Sequence, residues 1–472
     1  TVLKEEKGQG SSLEQRIQWT EPRPLRIGYI GGGSRGWFPA LAKDLAHTPW
    51  FTGEVRLYDI DREAADFNAE FGAWLQDHPQ NRSEWHYRAV DSLEEALKGA
   101  DFVFCSIQPG PIEFMQHDLE LPQKYGIYQP VGDTVGPGGT VRGFRAARTY
   151  AGFAEAIAEF APNAWVLNFT NPMTVCTRTL SAVCKDIKAY GCCHEVFGSQ
   201  KLLGELMAKK LERPLPERQD VRVNVLGINH FTWLTSAVCD GVDLLRILHE
   251  HIEDPEVMRF YTKEELFEDS ESVFASKNRV KFELTKRFGP MAAAGDRHLA
   301  EFVPWFLTDA QNCYKWGFKL TPYSYRINRW KEAPAKLRAY RSGEEEFDMG
   351  TSGEEYINQM TALVGMTEFR TNVNMPNNGQ MEGVPRGAVV ETNALFSKDA
   401  VEPVMSGALP DPVNALVYPH VVNQETIVTA VLEKDKDMGF RAFVNDPLVH
   451  RLDLDDAWKL FNEMIEATEC TF

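Results

Sequence analysis

Short apolar runs alternate with helix-like segments over about the first 230 residues. Apolar runs of this length are typical of buried strands, and the amphipathic stretches between them are typical of helices. Strands that alternate with helices predict a parallel sheet covered by helices on both faces. We therefore expect an α/β protein with a doubly wound sheet. The expected strands are residues 25–30, 54–59, 102–107, 164–169, 187–192 and 221–226. In the mixed remainder of the chain, helices are expected at 254–267 and 457–468.

A glycine-rich turn follows the first expected strand and precedes an expected helix. The sequence from Gly31 to Gly36 reads GGGSRG and fits the G-x-G-x-x-G pattern of a Rossmann-like dinucleotide site. In that pattern Gly31 makes the tight turn, Gly33 lets the backbone approach a pyrophosphate, and Gly36 allows close packing of the helix on the strand. Ser34 lies in the same turn, next to free N–H groups that would face the anion.

Three further residues follow expected strands and are candidates for the same cofactor. Asp59 ends the second strand, where its carboxylate can accept hydrogen bonds from a ribose and repel a 2′-phosphate. This favours NAD over NADP, although Asp59 could also be a simple turn residue. Gln108 and Asn168 stand at the ends of two later strands, where the rest of a dinucleotide would run.

Polar segments with reactive side chains follow three of the strands, and a fourth occurs later. They are residues 168–174, 191–198, 227–233 and 292–298. In an open α/β sheet, ligands bind outside the carboxyl ends of the strands, so side chains from the first three should converge. A thiolate and an imidazole, here Cys193 and His230, can together hold a divalent metal. The alternative is a buried cysteine and a structural core histidine.

Taken in order, these motifs resemble the NAD- and metal-dependent glycosidases of glycoside hydrolase family 4. The resemblance runs from about residue 25 into the C-terminal region. The shared motifs are the glycine-rich turn at 31–34, Leu-Tyr-Asp-Ile-Asp at 57–61, Lys-Tyr-Gly at 124–126, Gly-Pro-Gly-Gly at 136–139, Asn-Pro at 171–172, Cys-His at 193–194, Gly-x-Asn-His at 227–230 and Asn-Asn-Gly-Gln-Met-Glu-Gly-Val-Pro at 377–385.

This resemblance implies Mn²⁺ held by Cys193 and His230 and a reaction that begins with oxidation. NAD⁺ takes a hydride from C3 of the sugar, a base removes the C2 proton, the C1 group is eliminated, and water adds before the steps reverse. His194-Glu195-Val196 after the cysteine resembles the α-galacturonidase branch. The implied substrate is thus an α-D-galacturonide, with an α-galactoside or an α-glucuronide as alternatives within the family.

The same resemblance suggests roles for other polar residues. Asn171 would bind sugar hydroxyls, and His194 would donate a proton to the leaving oxygen, unless it only supports Cys193. Many members use a tyrosine base, but this chain offers none near residue 296, so Asp296 or His298 would serve. Arginines could pair with a uronate carboxylate. They are Arg142, Arg145 and Arg297.

Charge and cysteine content limit the partners and the compartment. The net charge is −18, which is poorly suited to nucleic acid or to an anionic membrane. We expect a small sugar or an oligosaccharide as the only ligand besides the cofactors, and a homo-oligomer, either a dimer or a tetramer. Eight irregularly spaced cysteines and the lack of a signal-like apolar start suggest the cytoplasm.

The expected domain organisation follows from these motifs. Residues 1–21 form an N-terminal arm, 22–200 an NAD-binding domain, and 201–472 a mixed α+β domain for substrate, metal and oligomerisation, as in lactate and malate dehydrogenases. Two competing interpretations remain. One is a 2-hydroxy-acid dehydrogenase, which would not need the cysteine and histidine pair, and the other is a non-catalytic NAD-sensing protein, which would not need the converging polar segments.

Overall fold

The computed structural model describes residues 13–472, so most of the expected N-terminal arm lies outside the described residues. Within this range the chain forms 15 strands and 17 α-helices. The strands are β1 (Arg23–Ile30), β2 (Phe51–Tyr58), β3 (Glu84–Ala89), β4 (Phe102–Cys105), β5 (Trp165–Asn168), β6 (Lys188–Gly191), β7 (Arg222–Ile228), β8 (Phe231–Cys239), β9 (Val242–Asp243), β10 (Met291–Ala292), β11 (Phe369–Pro376), β12 (Met381–Glu382), β13 (Val389–Ser397), β14 (Ala400–Pro403) and β15 (Gly407–Ala408).

The helices occupy most of the intervening chain. They are α1 (Trp37–Leu45), α2 (Arg62–Gln76), α3 (Leu93–Leu97), α4 (Phe114–Gln123), α5 (Gly136–Phe160), α6 (Met173–Val183), α7 (Glu195–Leu211), α8 (Leu244–His251), α9 (Lys263–Asp269), α10 (Arg279–Phe288), α11 (Asp296–Leu299), α12 (Asn312–Lys315), α13 (Tyr323–Ser342), α14 (Tyr356–Leu363), α15 (Asp411–Glu433), α16 (Lys436–Val444) and α17 (Leu454–Ala467).

The main sheet has nine strands in the order β14-β13-β11-β6-β5-β4-β1-β2-β3. The six strands from β6 to β3 are parallel, and β11, β13 and β14 add to them antiparallel. This confirms the expected α/β fold with a Rossmann-like sheet. The three late strands also carry the sheet across the expected domain boundary at residue 200, because residues after 368 complete its edge.

Both faces of the parallel strands are buried, as a doubly wound sheet requires. Tyr29 of β1 and Phe104 of β4 pack into one apolar core with α1 and α2, and their rings stack 6.0 Å apart. Their neighbours Ile30 and Val103 point to the opposite face, into a core shared with Tyr150 of α5. Successive residues of a strand point to opposite faces, which explains why these strands read as continuous apolar runs.

Two expectations for the later elements were wrong in part. The strand expected at 221–226 exists as β7, but it pairs antiparallel with β8 in a separate small sheet, not in the parallel one. The helix expected at 254–267 is reduced to α9, because the chain from 252 to 262 forms turns and extended segments. The helix expected at 457–468 is confirmed as α17, which starts three residues earlier.

Candidate active site

The glycine-rich turn lies directly after β1 and is held by the end of β2. The N–H groups of Gly31 and Gly32 donate to the carbonyl of Tyr58, at 2.9 and 2.8 Å. Gly31 has a φ of +92°, and a Cβ there would lie 2.0 Å from the carbonyl oxygen of Ser106, so no other residue fits. Ser34 Oγ accepts from the N–H of Trp37 at 3.3 Å, at the start of α1.

Asp59 braces this turn from the end of β2. Its Oδ2 accepts from the N–H of Gly33 at 2.8 Å, and its Oδ1 accepts from the N–H of Asp61 at 2.9 Å. Burial raises the pKa of Asp59, although these backbone hydrogen bonds oppose the shift. The carboxylate therefore shapes the turn, and each oxygen keeps a lone pair that could accept from a ribose hydroxyl.

A cleft of about 440 Å³ lies between the turn and α13. Gly33, Asp61 and Asn68 line one side, and Pro334, Leu337 and Arg338 line the other. The guanidinium of Arg35, within the turn, stacks over the ring of Trp330 of α13 with its Cζ 3.4 Å from the ring centroid. The cleft thus opens beside the residues that the sequence assigned to a nucleotide.

A second group of polar residues lies at the carboxyl end of the same sheet. One ligand atom each from Asp133, His230 and His298 lies within 4.8 Å of the other two. His230 lies in the tight turn between β7 and β8 with a φ of +65°, and His298 lies in α11. The Oγ1 of Thr134 lies 2.8 Å from Nδ1 of His230 and fixes the orientation of that ring.

Burial sets the charges of this group. It lowers the pKa of His230 to about 3 and also lowers the pKa of His298, so both imidazoles are neutral near pH 7. Burial opposes ionisation of Asp133, but the imidazoles, which are protonated at the low pH where this carboxyl titrates, and Arg142 hold its pKa below the usual range. One carboxylate and two neutral imidazoles are a donor set that divalent transition metals accept.

Polar atoms without partners surround this group, although buried polar groups in folded proteins are nearly always hydrogen-bonded. Among the described residues, such buried atoms include Oδ1 of Asn171, Nε2 of Gln108 and Nδ1 of His298. Asn171 also lies against the metal-binding group, because its Nδ2 is 3.3 Å from Oδ2 of Asp133. Such a concentration of unused donors and acceptors is expected where a polar ligand binds.

Cys193 lies beside this group but is not one of its three members. Its thiol is buried next to Asn229 and Glu391, and burial raises its pKa well above the usual value. The neighbouring Cys192 points elsewhere and donates to Oε1 of Gln359 at 3.3 Å. The role of Cys193 as a metal ligand therefore stays a prediction, and the structure adds Asp133 and His298 as donors near His230.

The side chains of three predicted site residues are engaged inside the fold. Asp296 is fully buried, and its oxygens accept from the N–H of Lys281 at 2.9 Å and from the hydroxyl of Ser276 at 2.7 Å. Its carboxylate thus caps the first turn of α10. No described contact supports its expected role as the base.

Asn168 and Arg145 are likewise engaged. Asn168 is fully buried and accepts from the Tyr150 hydroxyl at 2.6 Å. Arg145 forms a bidentate pair with the buried Asp118, at 3.1 and 2.6 Å. These contacts leave the cofactor role of Asn168 and the substrate role of Arg145 without support.

Arg142 contacts two other predicted site residues. Its Nε donates to the backbone carbonyl of Asn171 at 2.9 Å, and its Nη1 donates to Oε1 of Gln108 at 3.0 Å. The buried guanidinium thereby holds Asn171 and Gln108 in place between the nucleotide turn and the three-residue group. These contacts position Asn171 and Gln108, and the expected contact of Arg142 with the substrate stays a prediction.

His194 lies at the N-terminus of α7 with about half of its side chain exposed. Its Nδ1 is 2.9 Å from Oε1 of Glu354, and this hydrogen bond raises its pKa. The ring also lies near Trp37 of the nucleotide turn, with centroids 6.2 Å apart. The protonated form is thus favoured, which suits a proton donor.

The loop that carries Asp133 was missed by sequence reasoning. Glu301 holds it, because Oε1 accepts from the N–H groups of Val131 and Gly132 at 2.6 and 2.9 Å. Burial raises the pKa of Glu301 to about 8. The segment has no periodic pattern, and its only signal was its position just before the Gly-Pro-Gly-Gly motif at 136–139.

Comparison with known proteins identifies the class. The chain matches the model of family 4 glycosyl hydrolases over residues 26–209 and that of their C-terminal domain over residues 225–449. It is 49% identical to an α-galacturonidase from Thermoanaerobacter italicus, over 94% of this chain and 96% of that protein. The chain therefore belongs to glycoside hydrolase family 4 and is a glycosidase, which confirms the resemblance seen in its motifs.

Two solved structures share this fold. A Bacillus subtilis protein described as a glucosidase is 47% identical and superposes with a TM-score of 0.87, over 93% of this chain and 99% of that one. The 6-phospho-β-glucosidase of Thermotoga maritima, solved with manganese, NAD⁺ and glucose-6-phosphate, is 21% identical with a TM-score of 0.75, over 95% and 99%. In the described part of the chain, no helix combines the length and apolarity that crossing a bilayer would need.

Proposed function

We propose that this glycosidase hydrolyses α-linked galacturonides and uses NAD⁺ and Mn²⁺ as cofactors. The observation that carries the proposal is the 49% identity, over nearly the whole chain, to a protein named α-galacturonidase. The geometry is compatible with it, since a neutral imidazole pair and a carboxylate face unpaired polar atoms beside a nucleotide turn.

The residues present fit a divalent metal. His230 and Asp133 would hold Mn²⁺, with Cys193 as the ligand that the family resemblance adds. His230 is neutral and Asp133 is ionised, as ligation requires. When bound, the metal supplies Lewis acidity to oxygen atoms of the sugar. Asn171, whose Oδ1 has no partner, is placed to bind a sugar hydroxyl next to that site.

The nucleotide turn likewise fits NAD⁺. Gly31, Gly33 and Ser34 would face the pyrophosphate, and Asp59 would accept from a ribose hydroxyl while it braces Gly33. When bound, NAD⁺ supplies the hydride acceptor that the family's chemistry requires. Gln108 has an unpaired Nε2 and is held by Arg142 between the turn and the Asp133 group. Its amide is therefore placed to donate to the cofactor or to the sugar.

Two histidines are assigned to proton transfer. His298 is neutral and its buried Nδ1 has no partner, so this nitrogen is the group that we assign to removal of the C2 proton. His194, whose protonated form Glu354 favours, is the group that we assign to protonation of the leaving oxygen. Each assignment matches the charge state that its task needs near pH 7.

A panel of p-nitrophenyl glycosides tests the substrate. The α-galacturonide should be cleaved in preference to the α-galactoside and the α-glucuronide, and only with NAD⁺, Mn²⁺ and a thiol reductant present. In D₂O the released galacturonate should carry deuterium at C2, because the proton on His298 exchanges with solvent. Preference for the neutral galactoside would disprove the substrate, and an α-galacturonide cleaved equally well without NAD⁺ would disprove the cofactor.

We also propose that the protein is cytoplasmic and forms a homo-oligomer. All eight cysteines are free, and seven of them are buried, which suits a reducing compartment. Cell fractionation tests the location, and light scattering on the purified protein tests the oligomer. A monomer at micromolar concentration would disprove the second statement.

A further inference from the structure

Two arginines from distant parts of the chain converge on the loop that carries Asp133. Arg297 of α11 donates from Nη2 to the carbonyl of Pro130 at 3.0 Å, and also to the hydroxyl of Thr321. Arg326 of α13 donates from Nη2 to the same Pro130 carbonyl, at 3.3 Å, and to the carbonyl of Val131 at 3.1 Å. The two guanidinium groups are thus neighbours.

Within the described residues, neither arginine of this pair forms a direct ion pair with a carboxylate. Their hydrogen bonds go to backbone carbonyls and to one hydroxyl, and the Nε of each is buried without a hydrogen-bond partner. The acidic neighbours are Asp133 and Glu301, with Glu195 also near Arg297. Glu301 Oε1 is turned to backbone N–H groups, and Asp133 faces the histidines. Two adjacent cations with unused donors and no carboxylate in direct contact form a site for an anion.

The arginine pair lies next to residues that we assign to the sugar site, so an anion bound by the pair would lie beside the sugar. Arg297 immediately precedes His298 in the chain. Arg326 lies close enough to Asp133 for the negative charge of that carboxylate to raise the pKa of the Arg326 guanidinium, although burial lowers this pKa overall. An anionic group bound here would therefore belong to the same molecule whose hydroxyls meet Asn171 and His230. We propose that Arg297 and Arg326 bind the carboxylate of the glycone and determine the preference for a uronide.

This inference rests on the proposed function and adds a residue that the sequence did not suggest. Sequence reasoning named Arg297, but Arg326 lies 29 positions later, in a helix with no motif. A guanidinium pair suits a carboxylate because each planar group presents parallel N–H donors to its oxygens. A neutral hydroxymethyl group in the same place would leave both charges without a partner, and this is how the pair would select against an α-galactoside.

The helix that carries Arg326 also contacts the nucleotide turn. The controls must therefore separate loss of the arginine from a displacement of the whole helix. Trp330 lies one turn after Arg326 and stacks on Arg35. A variant that shifted α13 would therefore weaken NAD⁺ binding as well as substrate binding. Arg329 is exposed on the same helix and provides a matched control, since its replacement changes the charge of α13 by the same amount.

The experiment compares Arg326→Gln, Arg326→Lys and Arg329→Gln with the wild type. The Gln variant at 326 should raise KM for p-nitrophenyl α-galacturonide by about 10–100-fold, the range expected for loss of a charge-assisted contact. Its KM for the α-galactoside should stay unchanged. Arg326→Lys should give an intermediate KM, and Arg329→Gln should match the wild type. NAD⁺ affinity should be equal in all four proteins. The thermal midpoint of the two variants at 326 should fall, because Arg326 also donates to the carbonyls of Pro130 and Val131, whereas that of Arg329→Gln should match the wild type.

Unchanged KM for the uronide in both variants at 326 would overturn the inference. If Arg326→Gln does not fold, Arg326→Lys and Arg297→Lys decide by the same comparison. If the wild type cleaves no uronide, the proposed function fails, and calorimetry with free galacturonate, galactose and galactose 6-phosphate tests the arginines separately. Binding of galacturonate alone, lost in Arg326→Gln, would keep the carboxylate site, whereas equal binding of galactose or preference for the phosphate would overturn it.

Discussion

His230 and His298 lie face to face, with ring centroids 3.7 Å apart and ring planes inclined by 29°. Stacking at this distance requires that at most one ring is charged, which agrees with the lowered pKa of both. Thr134 occupies Nδ1 of His230, whereas Nδ1 of His298 has no partner. Nδ1 is therefore available on His298 but not on His230. This difference distinguishes His230, which we assign as a metal ligand, from His298, which we assign as the base.

His298→Asn and His230→Asn should consequently fail in different ways. His298→Asn should bind Mn²⁺ with nearly wild-type affinity but lose hydrolysis and C2 exchange by about 100-fold or more, the range for loss of a general base. His230→Asn should lose Mn²⁺ binding itself. Electron paramagnetic resonance of Mn²⁺ measures metal binding, and NMR in D₂O measures exchange of the C2 proton. Equal loss of Mn²⁺ in both variants would make His298 a ligand.

The adjacent cysteines provide a second internal comparison. Cys193→Ser should lower Mn²⁺ affinity and reduce hydrolysis by about 100-fold or more, because a serine hydroxyl does not replace a thiolate ligand. Cys192→Ser should retain activity, since Cys192 contacts Gln359 and not the Asp133 group. Activity with saturating Mn²⁺, together with NAD⁺ binding as a check of the fold, measures both. Full activity of Cys193→Ser would remove this residue from the site.

Asp296→Ala separates a structural carboxylate from a base. The substitution leaves the N–H of Lys281 and the hydroxyl of Ser276 without their buried acceptor, which should cost roughly 1–3 kcal/mol of stability for each stranded donor. The fraction that folds should still exchange the C2 proton at close to the wild-type rate. Urea unfolding measures the loss of stability, and NMR in D₂O measures the rate of C2 exchange. A large loss of exchange in a fully folded variant would restore Asp296 as the base.

Asp59→Asn tests the cofactor preference. The wild type should bind NAD⁺ at least about 10–100-fold more tightly than NADP⁺, because a carboxylate beside the ribose repels a 2′-phosphate. The Asn variant removes that charge, so the two affinities should approach each other. Asp91→Asn, on an exposed carboxylate after β3, is the control. Titration calorimetry measures the affinities, and a wild type that binds both nucleotides equally would contradict the assignment of Asp59.

The elements predicted best are those whose evidence is local. The expected strands of the parallel sheet match the observed ones within about three residues, because most positions in each are apolar and lie against one of the two covered faces. Strand β7 was recognised for the same reason, but an apolar run does not show which sheet a strand joins. The sheet that β7 joins is decided by the two-residue turn at Asn229 and His230, which pairs β7 with β8.

The parts of the site that sequence reasoning missed depend on contacts between distant residues. Asp133 is placed by Glu301, which holds its loop from about 170 positions away. The family resemblance offered Asp296 or His298 as the base in place of a tyrosine, yet the Asp296 carboxylate caps a helix that begins 17 residues earlier in the chain. Motifs reveal residues that a family shares at fixed spacing, whereas these roles follow only from tertiary packing.

His420 should make the stability of the protein fall in mild acid, independently of the active site. The ring is buried in α15, its Nε2 lies 2.7 Å from the carbonyl of Phe302, and burial lowers its pKa to about 4. An unfolded histidine titrates near 6.5. Between these two pH values the unfolded state binds more protons than the folded state, so stability is full above about pH 6.5 and is lost as the pH falls.

Urea unfolding at pH 7.5, 6.5, 5.5 and 4.5 measures this effect. His420→Gln should be less stable than the wild type at pH 7.5, since packing is lost, but the difference should shrink below pH 6.5. One such proton accounts for up to about 1.4 kcal/mol per pH unit. His86→Gln, which replaces an exposed histidine, is the control for the substitution itself. His230 and Glu301 titrate in wild type and variant alike, so the difference isolates His420. Parallel curves for His420→Gln would show that this ring is protonated in the folded state as easily as in the unfolded one.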